Sequence, residues 1–315
     1  MTNNQGRSQH KHWSKLPEKG SIIGLKFMLI CFKLLGRRVT YVLMFPAIVY
    51  FYLFSRGARK ASWQYFIHLQ RYAAQKNIVI KPQPFRHFMS FGKSLIDKVA
   101  VWNKIITRHD LHFPNRELLL DLVNKKQGAI IFSAHLGNIE VMRALSGLIP
   151  KLKVNALIFN QHAQKFNTLL TQVNADSQLS LISIEHIDLV FAIQLQQKID
   201  QGEFIIIACD RISVNHPNHT IWVEFLGEKC ILPQGPFILS AILQAPVYTM
   251  LCLKQKKRFN VVFESFAQSI KLPRHNRQLI LNQYAQQYSD FIAWHCIQYP
   301  TQWFNFFDFW GRNDQ

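Results

Sequence analysis

The residues best suited to chemistry lie together at Ser133-Ala134-His135-Leu136-Gly137-Asn138-Ile139-Glu140. A short apolar run ends at His135, the Gly137-Asn138 pair turns the chain, and a helical stretch opens with Glu140 in its first turn. Histidine is the side chain suited to take a hydroxyl proton near neutral pH. A carboxylate folded back onto it would fix its tautomer and balance the imidazolium, so His135 and Glu140 form a candidate catalytic dyad. The backbone N–H groups of a helix start offer an anion site, which makes Gly137 and Asn138 candidates for holding a substrate or an oxyanion. Ser133 falls on the same strand face as His135, but no G-x-S-x-G turn presents it as a nucleophile. A dyad without its own nucleophile implies that a substrate hydroxyl attacks directly. A strand-end histidine bonded locally, with Glu140 favouring the helix dipole, is the competing reading of the spacing.

A second charged pair, Asp210-Arg211, follows the apolar run Phe204–Cys209. Arg211 suits an oxyanion or a phosphate, because guanidinium presents a planar fork of donors; a structural ion pair with Asp210 is the alternative. Gly235 in Leu232-Pro233-Gln234-Gly235-Pro236 allows close backbone approach, or simply a tight turn into a helix. The thirteen His and five Cys include no cluster at zinc spacing and no C-x-x-C pair, so no metal site is expected. The scattered cysteines read as buried thiols in a reducing compartment.

These residues need a scaffold, and the apolar pattern describes one. Ala129–Ala134, Val154–Phe159, Leu179–Ile184, Phe204–Cys209, Val247–Leu253 and Asn260–Phe266 predict strands. Most of these runs lack polar alternation, the mark of strands covered on both faces. Helices are predicted over Ala61–Ala74, Phe88–Thr107, Asn138–Leu148, Ala163–Val173, Ile187–Ile199, Gly235–Leu243 and Gln278–Ile297, with a break at Lys81-Pro82-Gln83-Pro84. The fold class is α/β, a mixed, mostly parallel sheet flanked by helices. In such sheets ligands gather at the carboxyl ends of strands, where His135 and Asp210 both fall.

The 315 residues carry 37 Lys+Arg against 18 Asp+Glu, a net +19, with 49% hydrophobic residues and 25 Phe. This composition excludes a disordered chain and points to an anionic partner: a membrane surface, nucleic acid or an acidic protein. Residues 1–60 hold eleven basic residues and one acid, Glu18, around two apolar stretches, Ile22–Leu35 and Val39–Phe54, split by Gly36-Arg37-Arg38. Lys26 and Lys33 share one helical face, and Val39–Phe54 is shorter than the roughly 20 residues of a span. The pattern predicts a membrane-anchoring segment over 1–60, seated in the interface, ahead of a catalytic domain over 61–315; two buried core helices are the alternative. A nucleic-acid-binding protein would explain the charge, but no helix-turn-helix, zinc finger or RNP-type motif is present.

The ordered motifs also carry a resemblance. His135-x4-Glu140 is similar to the H-x4-D/E motif of the lysophospholipid acyltransferase superfamily. The companions Asp210-Arg211, Phe225-Leu226-Gly227, Leu232-Pro233-Gln234-Gly235-Pro236, Ala245-Pro246-Val247 and Pro300-Thr301-Gln302-Trp303-Phe304 resemble its lipid A late acyltransferase branch. Trp13-Ser14, Gly36-Arg37-Arg38, Phe85-Arg86-His87-Phe88 and the aromatic run Trp303–Trp310 look like the acyltransferases of bacterial aryl polyene pigment clusters. The resemblance implies a glycerol-phosphate-acyltransferase-like fold at the cytoplasmic face of a bacterial inner membrane. It implies O-acyl transfer to a lipid or glycolipid hydroxyl, from an acidic acyl carrier protein or coenzyme A thioester, with no bound cofactor and no nucleic acid. His135 would be the base and Glu140 its orienting partner. Pro233-Gln234-Gly235-Pro236 departs from the Pro-Glu-Gly-Thr of glycerolipid members, which argues against a glycerol-phosphate acceptor.

Overall fold

The computed structural model describes residues 22–103, 105–138, 141, 149, 151–158, 179–183, 188–212 and 219–311. Glu140 and nearly all of the helices expected over Asn138–Leu148 and Ala163–Val173 lie outside these. The chain opens with three helices, α1 (Ile22–Phe54), α2 (Arg56–Ala74) and α3 (Pro84–Trp102). Strand β1 (Leu111–His112), helix α4 (Arg116–Asn124) and strands β2 (Ala129–Ser133), β3 (Val154–Ile158) and β4 (Leu179–Ser183) follow. Helix α5 (Leu189–Asp200) leads to β5 (Phe204–Ala208), the hairpin β6 (Thr220–Phe225) and β7 (Glu228–Pro233), and α6 (Gly235–Leu243). Strands β8 (Val247–Gln255) and β9 (Arg258–Ala267) and helix α7 (Arg277–Gln298) complete the order.

Seven strands form one sheet in the order β1-β9-β8-β2-β5-β3-β4. Every neighbour pair is parallel except β8 with β9. The α/β reading therefore holds, and its reason is visible along each central strand. Ile130 and Phe132 of β2 and Ile205 and Ile207 of β5 enter one core, with α2, α6 and α7. Their neighbours Ala129, Ile131, Phe204 and Ile206 enter a second, with α1, α3 and α4. Both faces are dry, so an alternating polar pattern has no place.

Three elements escape the sequence reading: β1, α4 and the β6–β7 hairpin. The hairpin was legible in principle. Ile221, Val223 and Phe225 are buried while Trp222 and Glu224 alternate outward, and the turn Leu226-Gly227 has both residues at positive φ, as a two-residue hairpin turn requires. The third helix begins at Pro84 rather than Phe88 and stops at Trp102, before a short turn in which Thr107 and Asp110 cap each other.

Helix α1 breaks at Gly36, whose φ of 73° and ψ of 174° are not helical. The break falls where the two apolar stretches divide. Thr40, Met44 and Ile48 recur every four residues on the buried face, with Met44 and Ile48 in the second core. On the opposite face Val39, Val42, Leu43, Tyr50, Leu53 and Phe54 are all exposed. Arg59 donates to the Tyr52 and Leu53 carbonyls (2.6 and 2.8 Å), supplying a cation to the helix C-terminus. Among the described residues no single helix is long and apolar enough to cross a membrane. Val39–Phe54 and Arg56–Ala74, bent by 87°, meet the length and composition of one only as a pair.

Candidate active site

Strand register builds the site. In the parallel pair β2–β5, Ser133 stands opposite Ala208, and Cys209 N continues the ladder to Ser133 O at 2.9 Å. Two residues beyond the register pair on each strand, His135 and Asp210 meet. The backbone N–H of His135 donates to Asp210 Oδ2 (2.8 Å), and its Nδ1 lies 2.8 Å from Oδ1. The carboxylate accepts a further bond from the Trp303 indole Nε1 at 3.3 Å. A carboxylate that accepts at Nδ1 holds the proton there and leaves Nε2 with its lone pair, the arrangement of a general base. Among the described residues none bonds Nε2. The His135 side chain is 31% accessible and that of Asp210 only 5%. The base is reachable while its partner is sealed.

Burial lowers the His135 imidazole below the ordinary histidine value; the nearby Arg211 charge pushes the same way, and Asp210 opposes both. Burial alone would raise the Asp210 carboxyl. The charges of His135 and Arg211, together with its hydrogen bonds, outweigh burial and hold Asp210 below the usual carboxylate range. The pair therefore rests at neutral pH as carboxylate and neutral imidazole.

Several assignments made from sequence change here. Asp210, read above as a strand-end residue at the ligand side of the sheet or the ion-pair partner of Arg211, is the Nδ1 partner of His135; Glu140 lies outside the described residues. The N–H groups of Gly137 and Asn138 donate to the carbonyls of Gln302 (2.9 Å) and Cys252 (2.7 Å), so this arrangement commits them to the fold rather than to an oxyanion. Gly137 holds φ +83°, and a Cβ there would sit 2.1 Å from the Cys252 oxygen, so only glycine fits this loop. The Asn138 side chain is buried and donates to Ser94 O at 3.1 Å. Arg211 donates to the Phe304 carbonyl (3.0 Å) and stands 5.8 Å from the Phe307 ring. Gly235 opens α6, whose Phe237 packs edge-on against Phe132 of β2, behind the strand that carries His135.

What sequence reasoning missed is the clamp on this loop. The segment 302–305 lies along the loop: Phe304 N donates to His135 O (2.8 Å), and Leu136 bridges Trp303. The Gln302 amide pairs with both backbone groups of Lys254 at 2.8 Å each, which ties the segment to β8. His87 secures it from the other side. Its Nε2 donates to Trp303 O (2.7 Å), so Nδ1 accepts from the Ser62 hydroxyl (3.0 Å). Burial pushes this imidazole down to about 4, with the Trp303 bond opposing, which keeps it neutral and able to fill both roles. The aromatic run at 303–310 and the Phe85-Arg86-His87-Phe88 motif carried the signal, as motifs without a stated physical role. Among the described residues no group of His, Cys, Asp and Glu could hold a metal ion.

A base at one strand end, a sealed carboxylate at the next and an aromatic clamp over both suit proton removal from a hydroxyl. No curated protein sequence matches the chain at a significant level. The family model described as bacterial lipid A biosynthesis acyltransferase matches residues 39–311. That span takes in the second part of α1, from Val39 to Phe54, the His135–Asp210 pair and the Trp303 clamp. The chain belongs to the bacterial lipid A biosynthesis acyltransferase family.

Proposed function

We propose that the protein is a membrane-associated O-acyltransferase. It moves an acyl chain from an acyl carrier protein or coenzyme A thioester to a lipid or glycolipid hydroxyl, in aryl polyene or lipid A-type outer-membrane lipid biosynthesis. The observation that carries the reading is His135 held at Nδ1 by sealed Asp210, with the ring partly accessible and no described residue bonded to Nε2. Nε2 takes the acceptor's hydroxyl proton and the oxygen attacks the thioester carbonyl. A C–O bond forms, the tetrahedral intermediate expels the thiolate as the C–S bond breaks, and the imidazolium returns the proton to sulfur. Arg211 brings positive charge to the side where the oxyanion develops. The resemblance assigns the orienting carboxylate to Glu140; the geometry gives Nδ1 to Asp210. The test is transfer of a labelled acyl group from a thioester to a lipid hydroxyl by the purified full chain. An ester product that depends on the protein supports the reading, and thioester hydrolysis alone overturns it.

With His135 lowered, the acid limb of kcat/KM against pH is expected to have its midpoint below about 6.5, the ordinary histidine value. The sign follows because the working form is the neutral base, and a lowered pKa keeps it populated in more acid solution.

The attachment is proposed to be monotopic, at the cytoplasmic face of the inner membrane, through the residue 1–60 segment. The exposed row Val39, Val42, Leu43, Tyr50 and Leu53 is the seat, and Arg56, Arg59 and Lys60 at the bend meet anionic headgroups. Val42 and Leu53 are eleven residues apart, about three turns, and so share a face. Val42→Glu with Leu53→Glu is expected to weaken binding to anionic vesicles at least about tenfold, since each lost apolar anchor is worth about 1.5–3 kcal/mol. Co-sedimentation measures it, with an unchanged Tm as the control for folding.

A further inference from the structure

A polar cavity of about 230 Å³ opens beside the catalytic loop, with Gly137, Asn138 and Phe304 on its inner wall and Lys93, Lys254 and Lys256 further out. A second cavity, of about 380 Å³, shares Lys254, Lys256, Thr301 and Gln302 with it and runs on along the β8–β9 turn. The two form one groove. The carboxylate lining it is Asp97, already engaged: it accepts from the Tyr41 hydroxyl (2.7 Å) and from Lys254 Nζ, which also donates to Tyr41 at 2.9 Å. Lys254 and Asp97 thus balance each other inside the fold. Lys93 and Lys256, both exposed, give the groove its net positive charge.

The groove also has direction. Its inner end touches the loop that carries His135, because Phe304 N bonds His135 O. Gly137 lies against Cys252, and Lys256 comes four residues later, about 13 Å on at the rise of a strand. A ligand that fits carries its reacting group at one end of an extended polar arm and a phosphate at the other. Resting on the acyltransferase reading, we propose that this groove binds the donor through its phosphopantetheine arm. Lys93 and Lys256 grip the phosphate, and the arm passes Thr301 and Gln302 to bring the thioester to His135. Arg211, the sequence's candidate for that phosphate, does not line the groove; it donates to Phe304 O and lies against the Phe307 ring.

The test compares 4′-phosphopantetheine with pantetheine, identical but for the phosphate, by calorimetric titration of the full chain and of the Lys93→Gln/Lys256→Gln double variant. Both side chains are exposed, so Tm should not move. The variant is expected to bind phosphopantetheine on the order of tenfold more weakly, the product of two surface-level charge contacts, and pantetheine unchanged. Equal losses for both compounds, no loss, or no wild-type preference for the phosphate would overturn the assignment. Kinetics distinguish the donor's source. A raised KM for acyl-CoA alone assigns the groove to coenzyme A, a raised KM for both donors assigns it to the shared arm, and neither overturns it. Wild-type protein that turns over no thioester ends the acyltransferase reading, while the titration still decides the groove.

Discussion

Replacing His135 with alanine should reduce acyl transfer by about 10²–10⁴, the usual contribution of a positioned general base. The loss should fall on kcat, with donor KM little changed, because Nε2 acts on the acceptor proton in the transition state. The fold should survive. The backbone bonds of residue 135 to Asp210 and Phe304 remain, and only a partly exposed ring is lost. The alanine variant should also lose the acid limb of the pH profile. Near-normal turnover in the alanine variant, with a melting curve like the parent's, would sink the mechanism.

Asp210→Asn is expected to be nearly as damaging, for a reason of hydrogen-bond inventory. The carboxylate accepts three bonds: from His135 N, His135 Nδ1 and Trp303 Nε1. An amide offers one oxygen and one NH₂. With its oxygen toward Nδ1, the NH₂ faces the backbone N–H and the indole, leaving buried donors unsatisfied at about 1–3 kcal/mol each. Turned the other way, the NH₂ faces Nδ1, forces the proton onto Nε2 and removes the base. Either orientation costs about 10²–10⁴ in kcat/KM, and the first lowers Tm as well. The residual activity should show an acid limb shifted further down, because the group that raises the imidazole is gone. Glu140→Gln is the discriminating companion. A collapse with Glu140→Gln beside parent-like activity in Asp210→Asn would give the orienting role back to the H-x4-E motif.

The sequence shows His135 at a strand end because that information is local: an apolar run, then a Gly-Asn turn. It also shows that both faces of the sheet are covered. It does not show that β2 and β5 are neighbours, since parallel partners are chosen by packing between distant elements. Without that adjacency Asp210 has no visible relation to His135, and a reading along the chain reaches only the nearer carboxylate, Glu140, which lies outside the described residues. The same limit hides the clamp. Gln302 and Trp303 stand out as a motif, yet their work on Lys254 and Asp210 exists only once α7 has brought them back across the sheet. The Gly36 break was legible because glycine between two apolar stretches has a local meaning.

The clamp also orders events in time. Trp303 is 93 residues beyond Asp210 and 216 beyond His87, the groups it secures. A chain still being synthesised between residues 210 and 300 already holds its base, its carboxylate and its apolar helices, but lacks the strap that fixes the loop. Contacts of such long separation close last. On the acyltransferase reading, such a nascent chain is still chemically idle. Competence arrives as a final step, when residues 302–305 dock along the loop and the indole closes over the carboxylate.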